Sequence, residues 1–69
     1  MSDARATDVT SELMTAGEAA SYLRIPLATL RYWRHLGIGP AGFRLGRRLV
    51  YRRTDLDQWI SEQHDSQNR

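Results

Sequence analysis

The 69 residues make one domain at most, and the absence of cysteine excludes a disulfide framework and a thiolate zinc site. A chain this short buries only about 60% of the surface its unfolded form exposes, so packing alone must supply a marginal stability. The formal net charge of +2 hides an uneven distribution, with acidic ends and a basic centre.

Residues 1–12, MSDARATDVTSE, lack apolar periodicity and the apolar stretch of a signal peptide, and read as a flexible N-terminal tail. No later apolar run approaches membrane-spanning length, so a soluble, cytoplasmic protein with no membrane partner is expected. The folded domain is expected over residues 13–62. Thr15-Ala16-Gly17-Glu18 fits a capping box, and Ala16, Ala19, Ala20 and Leu23 follow at helical spacing, which predicts a first helix over 16–23. Ile25-Pro26 interrupts it, and Pro26 suits the first turn of a second helix running to about Leu36. At about 100° per residue, Leu27, Leu30 and Trp33 share one arc of that helix. Ala28, Arg31, Tyr32 and His35 fall on the opposite side, with Thr29 at its edge. Gly37 supplies a C-terminal cap, and the glycine-rich stretch to Gly42 ends the helix.

Phe43-Arg44-Leu45 and Leu49-Val50-Tyr51, separated by Gly46-Arg47-Arg48, predict a β-hairpin. A two-residue turn sets Leu45 opposite Arg48. A three-residue turn sets Leu45 opposite Leu49 and gathers Phe43, Leu45, Leu49 and Tyr51 on one face; it is preferred, because a slip of one residue exposes the apolar set. Thr54-Asp55-Leu56-Asp57 is a second capping pattern, and Leu56, Trp59 and Ile60 form an apolar stripe, so the last helix is expected over 55–63. The polar residues 63–69 read as a flexible C-terminal tail. The fold class is mainly α with a small β-hairpin, in the order of a winged helix-turn-helix.

The chemistry lies in the basic centre. Residues 1–23 carry Arg5 against Asp3, Asp8, Glu12 and Glu18, net −3; residues 54–69 carry Arg69 against Asp55, Asp57, Glu62 and Asp65, again −3. Between them stand Arg24, Arg31, Arg34, Arg44, Arg47, Arg48, Arg52 and Arg53 without an acid. Such charges repel one another in a small fold, and a polyanion relieves the repulsion. The use of arginine alone suits bidentate contact with phosphate and guanine, although a GC-rich coding sequence also yields it.

A helix presenting Ala28 and Thr29 near its start and Arg31, Tyr32, Arg34 and His35 beyond fits the major groove of double-stranded DNA. Tyr32 has the alternative of closing the edge of the core, and His35 that of a plain surface residue. The tip Gly46-Arg47-Arg48 suits a phosphate backbone or a narrow minor groove, with a solvated charged turn as the plainer reading. Arg44 is expected as a supporting phosphate contact, with pairing to Asp55, Asp57 or Glu62 as the alternative. Arg52 and Arg53 are divided evenly between DNA and the acids Asp55, Asp57 and Glu62. Asp55 and Asp57 belong to a helix start rather than to a catalytic pair, no nucleophile set, nucleotide loop or metal constellation appears, and no cofactor is expected. Trp33 and Trp59 are expected in the core.

Taken together, these stretches resemble the excisionase branch of the MerR-like winged helix-turn-helix families. The resemblance rests on Met14 to Ala20, Thr29 to Arg34, Phe43 to Arg48 with Val50 to Arg52, and Thr54 to Ile60, and covers Leu13 to Ile60. It implies a recognition helix in the major groove, a wing on the neighbouring minor groove or backbone, and work as a recombination directionality factor. Such proteins bind several adjacent sites, bend the DNA and turn a phage or plasmid integrase toward excision, which implies an integrase partner and cooperative self-association on DNA. The same module occurs in small transcriptional regulators of promoters or operators, which is the alternative. A third possibility is an adaptor whose basic face meets an acidic protein. Full regulators of the MerR class add a long dimerising helix and an effector domain, for which this sequence has no residues left.

Overall fold

Thr15 opens the first helix by closing a capping box in both directions. The Glu18 amide donates to Thr15 Oγ1 at 3.2 Å, and the Thr15 amide donates to Glu18 Oε1 at 2.9 Å. The computed structural model describes residues 12–68, so the expected N-terminal tail, Glu12 apart, lies outside the described residues. These form a short strand β1 (Leu13–Thr15), helix α1 (Ala16–Leu23), helix α2 (Leu27–Leu36), strands β2 (Gly42–Leu45) and β3 (Arg48–Arg52), and helix α3 (Arg53–Gln67).

The turn between α1 and α2 is set by local chemistry. Arg24 adopts the left-handed conformation at φ 60, ψ 41, and the amides of Arg24 and Ile25 donate back to Ser21 and Ala20 carbonyls at 3.1 and 3.0 Å. Pro26 then stands at the N-cap with φ −63, already suited to the helix it precedes. α2 ends where Gly37 takes φ 77 and its amide meets the Arg34 carbonyl at 3.1 Å.

The sheet is three-stranded and antiparallel in the order β1-β3-β2, which adds a strand to the expected hairpin. β1 pairs Leu13, Met14 and Thr15 with Arg52, Tyr51 and Val50. The β2–β3 register corrects the preferred one: Leu45 faces Arg48, Arg44 faces Leu49, Phe43 faces Val50 and Gly42 faces Tyr51. The turn is the two residues Gly46-Arg47, and a positive φ of 66 at Gly46 alone is the pattern of a type II′ turn, whose twist matches that of the strands. Turn geometry therefore overrides apolar pairing. Leu49 and Tyr51 point to the core, while Phe43 and Leu45 point away from it.

One core joins all the helices to the central strand. Ala19 and Ala20 of α1, Leu30 of α2, Tyr51 of β3 and Leu56 of α3 are buried, with Met14, Leu23, Leu27, Trp33 and Leu49 packed around them. Two alanines at the centre let α1 approach closely, and burying Leu30 and Leu56 contributes about 1.5–3 kcal/mol each. Trp59 is only half-buried, its ring 5.4 Å from that of Trp33 at 45°. α3 starts directly from β3 at Arg53 with no side-chain cap, so Thr54 lies within the first turn instead of capping it. It also continues past residue 63 through Gln67, so most of the expected C-terminal tail is helical. Neither glycine nor proline interrupts it, Gln58 Nε2 donates to Glu62 Oε2 at 3.1 Å, and Asn68 Nδ2 donates to the His64 carbonyl at 2.8 Å.

Candidate nucleic-acid interface

The core fixes one side of α2 and leaves the other to solvent. Leu30 is fully buried and Leu27 and Trp33 are half-buried, whereas Ala28, Arg31, Tyr32, Arg34 and His35 are exposed and Thr29 is half-buried at the edge. Tyr32, at 60% exposure, is no part of the core. Small residues in the first turn and longer polar ones beyond give this side a profile that approaches a partner closely at its N-terminal end.

Arg34 stands apart from the outer side. Its position on the helix falls between the arcs of Leu27 and Leu30, and its charge bears on the Tyr51 hydroxyl, opposing the upward push that burial gives the Tyr51 pKa. It also lines a shallow depression with Gly37, Pro40 and Gly42, between the end of α2 and the root of β2. Arg34 thus occupies the junction of helix and sheet, where the two basic elements meet.

The second basic element is the distal half of the β2–β3 ribbon, where Arg44, Leu45, Gly46, Arg47 and Arg48 are all exposed. Arg44 Nη1 donates to the Arg47 carbonyl at 3.3 Å, bracing the turn from the β2 side. Arg48 shares a sheet face with Leu45 and Arg44 with Leu49, so the ribbon carries guanidiniums on both faces and at its end.

Arg52 and Arg53 sit at the junction of β3 and α3. Of the two readings left open for them, pairing with acids does not occur: among the described residues the one ion pair is His64 Nδ1 to Asp65 Oδ1 at 3.7 Å, and no arginine lies within 4.0 Å of a carboxylate. Asp57 instead accepts a hydrogen bond of 2.6 Å from the Tyr22 hydroxyl, which ties α3 to α1 and raises the Tyr22 pKa. The positive charge of Arg53 acts on that hydroxyl in the opposite sense.

Away from the basic side, Trp33, Ile38, Trp59, Ile60, Gln63 and Gln67 line an open groove of about 460 Å³. Ile38 is 53% exposed. Sequence reasoning placed both tryptophans in the core and so missed this groove; the exposed Phe43 and Leu45 were missed through the hairpin register. Among the described residues no group of His, Cys, Asp or Glu is arranged to hold a metal ion, and no helix is long and apolar enough to cross a membrane.

A family model described as a helix-turn-helix domain matches residues 13–64, from the start of β1 through most of α3. No curated protein and no solved structure matches the chain.

Proposed function

The chain belongs to the helix-turn-helix domain family, and on that premise we propose that it is a sequence-specific double-stranded-DNA-binding protein of the excisionase kind. Several copies bind adjacent sites on attachment-site DNA, bend it, and direct an integrase toward excision. The observation that carries the DNA-binding part is the set of eight arginines between residues 24 and 53, none paired with a carboxylate among the described residues, with Arg31 on the exposed side of α2, Arg34 at its junction with the sheet and Arg44, Arg47 and Arg48 at the exposed end of the ribbon.

In this function α2 enters the major groove. Ala28 and Thr29 allow close approach, Arg31 reaches guanine O6 and N7 or a phosphate, and Tyr32 and His35 meet the groove wall. Arg34 takes a phosphate at the helix–sheet junction. Arg47 and Arg48, with Arg44 behind them and Gly46 letting the backbone come close, hold the adjacent backbone or minor groove. Exposed Glu62, in the depression on the other side of Trp59 from the apolar groove, and exposed Asp65 further along α3 support contact between copies, since each offers an acidic flank to the arginines of a neighbour.

A gel-shift titration on DNA spanning an attachment or operator region tests this, together with a bending assay and an excision assay containing the cognate integrase. A cooperative ladder of bent complexes and stimulated excision is the expected outcome. A single unbent complex that blocks transcription and leaves recombination untouched identifies a small transcriptional regulator instead.

A further inference from the structure

Phe43 and Leu45 occupy the sheet face turned away from the core, at 38% and 54% exposure. A shift of one residue would have set both beside Leu49 and Tyr51 on the core face. Gly46 prevents it, holding the two-residue turn with φ +66. The two exposed side chains differ in position. Phe43 lies directly across from Val50, which is 5% exposed, so it shields the central strand. Leu45 faces Arg48, itself exposed, at the last pair before the turn.

Leu45 is therefore an aliphatic side chain at the tip of a projecting ribbon, flanked by Arg44, Arg47 and Arg48, none of which has a carboxylate within 4.0 Å among the described residues. A DNA duplex supplies both kinds of partner side by side: phosphates for the guanidiniums, and an apolar stack of bases between them. Two paired strands are about 4.8 Å apart before their side chains are counted, and the minor groove of B-DNA is about 6 Å wide. The ribbon tip enters only if the groove opens, and unstacking a base step opens it.

We propose that Leu45 is a wedge that inserts from the minor groove into a base step, kinking the duplex, while Arg47 and Arg48 hold the phosphates on either side. It rests on the DNA-binding function proposed above, and adds to it the atoms that bend the DNA and a site preference. Pyrimidine–purine steps, TA and CA/TG, unstack most readily, so one such step is required beneath the wing although no polar group reads it.

The test begins with a random-sequence duplex pool enriched on the native protein. Its bend is measured by energy transfer between labelled ends, and the enriched step carries 2-aminopurine, which brightens when unstacked. With native protein the enriched duplexes share a pyrimidine–purine step, kink by about 20–90° and brighten. Leu45→Ser still binds but loses the kink and the brightening, and its preference for that step falls about tenfold. Leu45→Met restores all three, and Arg47→Ala weakens binding while keeping the kink. Because Leu45 is exposed, none of these changes opens the core, and Trp33–Trp59 fluorescence verifies the fold. A Leu45→Ser protein that kinks and brightens the duplex like the native one overturns the wedge and leaves DNA binding intact, as does a native complex with no kink. Failure of the native protein to enrich any duplex overturns the DNA-binding function, and the wedge with it.

Discussion

Helix α2 and the β2–β3 ribbon bear the same kind of charge on unlike supports. Arg31 stands on α2 opposite the side locked by Leu30, 1% exposed, and Arg34 beside that side, so the origins of both are fixed relative to the core. The ribbon is anchored only at its root, where Val50 and Tyr51 are buried; from Arg44 to Arg48 every residue is exposed. Reading a base edge needs placement within about 0.5 Å, which a packed helix provides. Holding a phosphate row tolerates the looser support of a projecting hairpin. On the proposed function, the difference gives direct base reading to the helix and phosphate grip to the arginines of the ribbon, leaving Leu45 an indirect preference for a deformable step.

The comparison fails if helix and ribbon are separate folding units, and Leu56 decides this. Leu56 is fully buried in the cluster that joins α1, α2 and β3. Leu56→Ala is expected to cost about 2–5 kcal/mol, comparable with the roughly 3–5 kcal/mol that a core of this size supplies, and so to unfold the protein. Circular dichroism and tryptophan fluorescence should report one coincident transition in denaturant. A variant that keeps α1 and α2 helical while losing the sheet would show that the ribbon is not held by the core.

Next in size is the response to salt. If about five of the eight central arginines neutralise phosphates, log K falls against log salt with a slope near −4.5, about 500-fold between 50 and 200 mM. A slope near zero, or equal affinity for an acidic protein, would favour an adaptor over a DNA-binding protein.

Division of labour is read from two single substitutions. Arg31→Ala is expected to cost about 1–3 kcal/mol and to relax preference at one base pair, whereas Arg47→Ala weakens all duplexes alike and lowers the salt slope by about one. Unchanged binding by Arg31→Ala would remove α2 from the interface, and a sequence-selective effect of Arg47→Ala would reverse the assignment.

Those elements legible in the sequence are the ones whose determinants are local. The Thr15–Glu18 box, Pro26 and Gly37 each act within a few residues, and α1 and α2 fall where they predict. β1 was illegible because its partner strand is more than thirty residues away and Leu13–Thr15 is too short to show alternation. The ribbon register pitted the burial of four apolar residues against the twist of a two-residue turn, and the turn prevailed. At α3 the strand runs straight into the helix, so the Thr54 pattern, sound as local chemistry, had no terminus to cap. Helical spacing identified the solvent-facing positions Ala28, Arg31, Tyr32 and His35. It does not identify Arg34, which shares the arc of Leu27 and Leu30 and is nonetheless exposed.

The smallest expected effect concerns the two helix ends that frame α2. Both α1 and α2 finish on a left-handed residue, but one is Arg24 at φ 60 and the other Gly37 at φ 77. A left-handed conformation costs a side chain with a Cβ roughly 1–2 kcal/mol, a cost that glycine avoids. Glycine loses more chain entropy on folding, which returns part of the gain. Arg24→Gly is therefore expected to stabilise the protein by about 1 kcal/mol, raising Tm by about 4–8 °C in a domain of this size. Arg24 is exposed in the turn between the helices and stands outside the proposed contact set, so the same variant should keep its affinity and salt slope. A more stable protein whose slope falls by about one would show that Arg24 meets a phosphate, and would extend the interface from α2 and the ribbon to the turn. A less stable protein would show that the arginine side chain contributes more to the folded state than its backbone strain costs.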